Sequence, residues 1–337
     1  MGEGDFGQRP VIHRPVLLEE CLNFLSPLGE SYGCNPLFID STLGMGGHAE
    51  GFLKQYGNVR IIGVDADSAV MERARQRLIP FTGRVRFHNG WFDDFFANFP
   101  ENDVRPNLIL FDLGISIFHY EASGRGFSFG LDERLDMRLD TSAGTCAGDL
   151  VNGLGERDLA NILWRYGEER YSRRIAQAVA KERRASPVRS AVQLAGLVWQ
   201  AVPAAYRHGR IHPATKTFQA LRIVVNRELD RLLRALWEAF RVLGTGGKMA
   251  VISFNSGEDS MVKNFFRTAS KPCICPPEAP ICICGGESCA ELLTKKPVSA
   301  DRREIAKNPS SRSAKLRVIR KLRDMNLVRK ELLHEKA

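Results

Sequence analysis

The sequence predicts an α/β protein: a Rossmann-like, mostly parallel sheet interrupted by an all-helical insertion. Through the first half of the chain, short apolar runs of strand length alternate with helical periodicity, the pattern of a parallel sheet covered by helices. From Gly144 to Ala214 the strand-like runs stop, and Asp158 to Arg184 forms an amphipathic, arginine-rich stretch. The expected organisation is 1–140 for the first part of the sheet domain, 141–214 for the helical insertion, and 215–337 for the second part with a basic tail.

Leu37-Phe-Ile-Asp40, Ile61-Ile-Gly-Val-Asp65, Val85-Arg-Phe-His88 and Leu108-Ile-Leu-Phe-Asp112 read as the first four strands. Three of them end in aspartate, which places Asp40, Asp65 and Asp112 along the carboxyl edge of the sheet, where open α/β sheets bind ligands. Asp67 is positioned to cap a helix running to Leu78, with Val70, Ala74 and Leu78 spaced by four. Leu229, Leu232, Leu233, Leu236, Phe240 and Leu243 mark one face of a long helix that Gly244-Thr-Gly-Gly247 ends. Met249 to Ser253 then reads as a buried fifth strand. Ala314, Leu316 and Val318 alternate with Ser313, Lys315 and Arg317, the pattern of a half-exposed strand.

With 44% hydrophobic residues the chain can bury a sizeable core. No run approaches the roughly 20 apolar residues of a membrane span, and Met1 to Pro10 lacks the apolar region of a signal peptide, so the expected location is the cytoplasm. The formal charge of +9 gathers late: residues 301–330 hold eleven Lys/Arg against three Asp/Glu. Arg207, Arg210, Lys216 and Arg222 form a second basic group with no acid between residues 206 and 222. Such segments suit a polyanion. Of the eight cysteines, five crowd between Cys273 and Cys289, and reduced thiols or metal ligands are expected rather than disulfides.

Asp40-Ser-Thr-Leu-Gly44-Met-Gly46-Gly47-His48-Ala49 lies between the first strand and a helix, where glycines let a ligand approach the backbone. Gly44-x-Gly46-x-x-Ala49 with Asp65 beyond it formally satisfies a dinucleotide fingerprint. A nicotinamide cofactor would rest its pyrophosphate on the helix N-terminus. S-adenosylmethionine instead carries an ammonium and a sulfonium, which want nearby carboxylates such as Asp40 and Asp112. Asp65 could hold ribose hydroxyls in either case. Phe92 could stack on an adenine or belong to the core.

Taken with further segments, the sequence resembles the RsmH (MraW) family of ribosomal RNA cytosine-N4 methyltransferases over nearly its whole length. The segments are His13-Arg-Pro-Val-Leu-Leu-Glu-Glu20, Gly46-Gly47-His48, Asp112-Leu-Gly-Ile-Ser116, Arg125-Gly-Phe-Ser-Phe129, Leu135-Asp-Met-Arg-Leu-Asp140, Thr215-Lys-Thr-Phe-Gln-Ala-Leu-Arg222 and Asn308-Pro-Ser-Ser-Arg-Ser-Ala-Lys-Leu-Arg317. The resemblance implies a class I methyltransferase fold carrying a helical domain. It further implies S-adenosylmethionine as cofactor and, as target, a cytidine of 16S small-subunit ribosomal RNA in the decoding centre near the P site. The implied cofactor contacts are Gly46, Gly47, His48, Asp65, Phe92, Asp112 and His119. The partner would be small-subunit rRNA or the small ribosomal subunit, with neither DNA nor membrane expected.

Two departures stand out. His119 replaces a glutamine of the family's pattern, and Asn255, in Ser253-Phe-Asn-Ser-Gly-Glu-Asp259, replaces a histidine. Asp112 is the candidate catalytic residue, able to accept a hydrogen bond from the cytidine amine; binding of the cofactor alone is its other reading. Arg207, Arg210, Lys216, Arg312, Lys315 and Arg317 are the candidate phosphate contacts, and Phe127 or Phe129 could flank an unstacked base or sit in the core. Cys273, Cys275, Cys282 and Cys284 could close a tetrahedral zinc site, but their Cys-x-Cys spacing is tighter than the usual knuckle. The expectation is a loop of reduced cysteines and no metal. Two other functions fit the fold: a nicotinamide-dependent dehydrogenase, for which no catalytic pair is visible, and a non-catalytic RNA-binding or ribosome-assembly factor.

Overall fold

The computed structural model describes residues 14–27, 34–100, 104–142, 144–275 and 281–325. His13 and the tail residues Arg329 and Lys330 lie outside them. Seven strands form one sheet: β1 (Leu37–Asp40), β2 (Arg60–Asp65), β3 (Val85–Asn89), β4 (Leu108–Asp112), β5 (Lys248–Ser253), β6 (Ala290–Leu292) and β7 (Lys315–Lys321), in the order β3-β2-β1-β4-β5-β7-β6. The first five run parallel, and β7 is antiparallel to both β5 and β6. This is the class I methyltransferase sheet that the resemblance implied. From β1 the chain winds outward to β2 and β3 on one side and to β4 and β5 on the other, so the order reverses between β1 and β4. A crevice opens at such a point, beyond the carboxyl ends of the strands.

Both faces of the sheet are covered, which is why β1 and β4 are nearly continuous apolar runs. Ile39, Phe111 and Val251 pack on one side with Leu236, Phe240 and Phe266, while Phe38, Leu110 and Ile252 pack on the other with Phe52 and Leu53. A third cluster is separate and helical. Leu159, Leu163, Ile175, Val179, Leu194 and Phe218 belong to it, and it draws residues from Phe127 to Leu221.

The arginine-rich stretch is two helices, Glu156–Gly167 and Ser172–Glu182, separated where Glu168 turns to φ 50°. The break brings the helix Ala214–Asn226 close: a Cβ on Gly167 would stand 2.4 Å from the carbonyl oxygen of Lys216. The expected late strand exists as β7, with β5 and β6 paired along its two edges, but it does not alternate: Leu316, Arg317, Val318 and Ile319 are all buried. Its Arg317 is turned onto Asp259 at 2.7 Å. Lys321 is fully buried and donates to the carbonyls of Phe240 and Leu243 at 2.7 and 2.6 Å, satisfying the C-terminal end of the helix Glu228–Val242.

Candidate active site

The loop after β1 turns through Gly44 (φ 53°) and Gly46 (φ 77°), a left-handed path that side chains rarely follow. Its anchor is Asp65. The Gly44 N–H donates to Asp65 Oδ2 at 2.8 Å and the Asp67 N–H to Oδ1 at 2.9 Å, so one carboxylate joins the loops after β1 and β2. Burial raises the Asp65 pKa against the pull of these two backbone donors. Each oxygen keeps a lone pair for a further donor.

A cavity of about 530 Å³ opens at the carboxyl end of β1 and β4. Gly47, His48, Asp65, Phe92, Asp112 and His119 all line it. Gly46 does not: a Cβ there would meet Leu78 at 3.2 Å, so this glycine faces the neighbouring helix and serves the turn. Pro15 and Val16 from one end of the chain and Ser310 and Ser313 from the other complete the wall, and Asn308 Nδ2 donates to the Arg14 carbonyl at 3.1 Å. Two segments of the resemblance nearly three hundred residues apart thus meet at the cavity.

Behind the loop lies a buried cluster of charge. Asp40 is 1% exposed, and neither of its carboxylate oxygens has a hydrogen-bond partner among the described residues. Burial pushes its pKa up to about 7, with His48 opposing and Asp112 adding to the rise. His48 Nε2 stands 3.4 Å from Asp112 Oδ2. Burial disfavours the charged imidazole, but Asp112 and Asp40 more than offset this and raise its pKa. The Asp112 N–H donates to Thr42 Oγ1 at 2.7 Å, while Asp112 Oδ1 is left without a partner among the described residues.

His119 is buried, and its Nε2 lies 2.8 Å from Asp67 Oδ2. A carboxylate only accepts, so Nε2 carries the hydrogen, and Nδ1 has no partner among the described residues. Asp67 also accepts from Arg125 and caps the helix Ser68–Arg77 through the Ala69 N–H. Burial would raise its pKa, but the hydrogen bonds from His119 and Arg125 hold it at about 2. The imidazole therefore donates toward Asp67 with one nitrogen, as an amide could.

Phe92 opens the helix Phe92–Ala97 and meets Phe111 edge-on, with centroids 5.6 Å apart. It is both wall and core. Phe127 is buried in the helical cluster, and Phe129 stacks on His212 at 4.4 Å. Asn255 also lines the cavity, yet its Oδ1 accepts the Glu258 N–H at 2.9 Å and caps the helix Ser256–Ser270. That bond accounts locally for an asparagine here, since its side chain is among the best N-caps.

The basic group of residues 206–222 does not act as one surface. Arg222 is half-buried in the cavity wall and paired in bidentate fashion with Glu228 at 2.8 and 2.9 Å. Lys216 donates to the Glu168 carbonyl at 3.0 Å and Arg207 to those of Val202 and Gln200 at 3.2 Å. Arg210 is exposed with no bond among the described residues. Lys315 and Arg317 both pair with Asp259, leaving Arg312 as the exposed member of their group. Sequence reasoning missed Thr42, Trp91 and Gln219 at the cavity; Thr42 and Gln219 lay in quoted segments, but nothing local distinguished their roles.

A model of the MraW methylase family matches residues 10–322. The chain belongs to the MraW methylase family. Among its relatives, ribosomal RNA small subunit methyltransferase H of Treponema denticola is 55% identical over 311 residues, covering 92% of this chain and 98% of that protein. The proteins of the same name from Treponema pallidum (46% identical; 92% of each chain) and Borrelia turicatae (45%; 93% and 98%) are similar at nearly full length. In this MraW methylase, six of the seven residues expected at the cofactor therefore share one cavity wall, and Gly46 shapes the turn behind it.

Proposed function

We propose that this chain transfers a methyl group from S-adenosylmethionine to the N4 amine of a cytidine in the decoding centre of 16S small-subunit rRNA, near the P site. One observation carries the reading: the cavity at the β1/β4 crossover is backed by carboxylates with unsatisfied oxygens, Asp40 and Asp112, where a pyrophosphate would be repelled. A cationic ligand fits that donor set better than an anionic one. The names of the full-length relatives support small-subunit rRNA as the substrate. Among the described residues no helix is long and apolar enough to cross a membrane.

S-adenosylmethionine supplies an electrophilic methyl group on a sulfonium. The spare lone pairs of Asp65 would accept the ribose hydroxyls, Phe92 would stack on the adenine, and Gly47 and His48 would line the loop side of the cofactor. Cytosine N4 is a poor nucleophile because its lone pair is delocalised into the ring, so positioning contributes much of the rate. Asp112 accepts a hydrogen bond from the amine and takes up its proton as charge develops there. His48 Nε2, 3.4 Å from Asp112 Oδ2, faces that carboxylate, and the charge of Asp40 adds to the rise in its pKa. Exposed Arg210 and Arg312 contact phosphates.

Calorimetric titration separates this reading from its competitors. A dehydrogenase binds NAD, and an assembly factor without activity need bind neither ligand, whereas this chain is expected to bind S-adenosylmethionine and not NAD. Mass mapping of methylcytidine in small-subunit rRNA, with and without the gene, tests the substrate; an unchanged map overturns it.

A further inference from the structure

Four cysteines far along the chain from the cavity loops converge on one point. The segment from Lys271 to Cys289 leaves the helix Ser256–Ser270 and returns into β6, the edge strand. Its ends are clamped, with Ser288 Oγ donating to the Ser270 carbonyl at 2.8 Å and the Cys289 N–H to the Ala269 carbonyl at 2.9 Å. Between them the described residues form no helix or strand. Ile281 and Ile283 are 75% and 57% exposed, and the buried apolar side chains described between Lys271 and Ser288 are Ile274 and Cys284. Among the described residues of the segment this is a small core, which leaves room for a further tie to offset their ordering entropy.

The geometry supplies one. The ligand atoms of Cys273, Cys275, Cys282 and Cys284 all lie within 4.8 Å of one another. Cys282 Sγ is 3.7 Å from that of Cys273, 3.6 Å from Cys284 and 4.0 Å from Cys275, and Cys284 is 3.7 Å from Cys273. A tetrahedron of sulfurs about 2.3 Å from a central zinc has edges of about 3.8 Å. All four are free cysteines.

The backbone around them is arranged for thiolates. The Ile274 N–H donates to Cys284 Sγ at 3.3 Å, and the Ile283 N–H to Cys275 Sγ at 3.4 Å. The middle residue of each Cys-x-Cys pair thus donates to the last cysteine of the other pair, and the two pairs are related by an approximate twofold. Amides aimed at sulfur stabilise its negative charge and orient it for a metal. Gly285 and Gly286, at φ 91° and 66°, turn the chain away immediately after Cys284. The tight Cys-x-Cys spacing is thereby accommodated.

We propose that Cys273, Cys275, Cys282 and Cys284 bind one zinc ion as a closed structural site. Four soft thiolates in a tetrahedron select zinc among abundant divalent ions, and with four protein ligands no position is open for catalysis. The ion replaces the missing core of the loop and fixes it beside the edge strand. Binding displaces the thiol protons into solvent, so affinity falls as pH falls.

The full-length chain, produced without a histidine tag and dialysed, should carry about one zinc per chain by plasma mass spectrometry. Cobalt(II) exchanged into it should show the absorption of a tetrahedral thiolate site. Cys273→Ser and Cys284→Ser should weaken metal binding more than tenfold, while Cys289→Ser and Cys34→Ser keep it. Zinc retained by the first pair overturns the assignment. If those variants fail to fold, a mercurial thiol reagent added to the parent should release zinc in step with the thiols modified, and release of none overturns the proposal. So do a parent chain with well under one metal per chain and four freely reactive thiols, and iron at full occupancy in place of zinc.

Discussion

His119 Nε2 and Asp67 Oδ2 are 2.8 Å apart, so the helix that follows β4 is fastened to the N-cap of the helix that follows β2. Arg125 joins the same carboxylate from the loop beyond. Three segments that supply the cavity wall, or stand next to it, are held by one acid.

Asp67→Asn tests this fastening, because asparagine preserves the N-cap while removing the charge. The sign follows from the depressed pKa. Asp67 titrates at about 2 in the folded chain against about 4 unfolded, so its stabilisation is present above pH 4 and lost as pH falls through 2. The variant should be less stable than the parent by roughly 2 kcal/mol at pH 7, with the gap closing toward pH 2 in urea unfolding. A gap independent of pH would assign the loss to packing.

Asp40 behaves oppositely. Its folded pKa, raised by burial to about 7, exceeds the unfolded value near 4, so its contribution to stability is greatest below pH 4 and is lost as pH rises through 7. Asp40→Asn should match the parent in acid and equal or exceed it at pH 8. A cationic ligand beside the His48–Asp112 pair favours the ionised carboxylate, so binding of S-adenosylmethionine at pH 7 should release a fraction of a proton, up to about half. Calorimetry in buffers of differing ionisation enthalpy measures this. Release that persists undiminished in Asp40→Asn would move the proton elsewhere.

How far the sequence revealed all this depended on the range of each signal. The strands ending in Asp40, Asp65 and Asp112 were visible because a doubly covered sheet makes strand-length apolar runs. β6, only three residues long, carries no such period. The pattern of β7 suggested exposure because alternation reports side-chain chemistry and cannot show that Arg317 finds Asp259 on the helix Ser256–Ser270. Arg222 looked like free charge for the same reason: its partner Glu228 stands past the helix's end, outside the acid-free window. His119 and Asn255 were recognisable as departures, but their bonds to Asp67 and to the Glu258 N–H were not, since tertiary contacts and cap geometry decide them.

The two exposed arginines should differ from the paired one. Arg210→Ala and Arg312→Ala together should reduce the slope of log affinity against log salt for small-subunit RNA by roughly 1 to 2, with cofactor affinity unchanged. Arg317→Ala should instead cost roughly 1.5 to 3 kcal/mol of stability, because Asp259 loses a charged hydrogen-bond partner in a half-buried setting. An unchanged salt slope for the double variant would show both arginines to be solvated surface.

Asp112→Asn separates catalysis from binding, for it keeps the side chain's shape and removes its charge. If Asp112 accepts the amine's proton, single-turnover methylation at saturating cofactor and RNA should slow on the order of a hundredfold, with modest change in cofactor affinity. If it only neutralises the cofactor, affinity falls and the saturated rate survives. Asn255 bears on the same test because it lines the cavity from the end of β5. Adding Asn255→His would restore an imidazole there, and recovery of the rate would mean that the base can be supplied from either strand. The substitution also removes the cap on the helix Ser256–Ser270, at about 1 kcal/mol, so the rate must be read well below the unfolding temperature. A folded double variant with no recovery leaves the proton with Asp112. An undiminished rate in Asp112→Asn alone ends the catalytic role and reduces the carboxylate to a partner for the cofactor's charge.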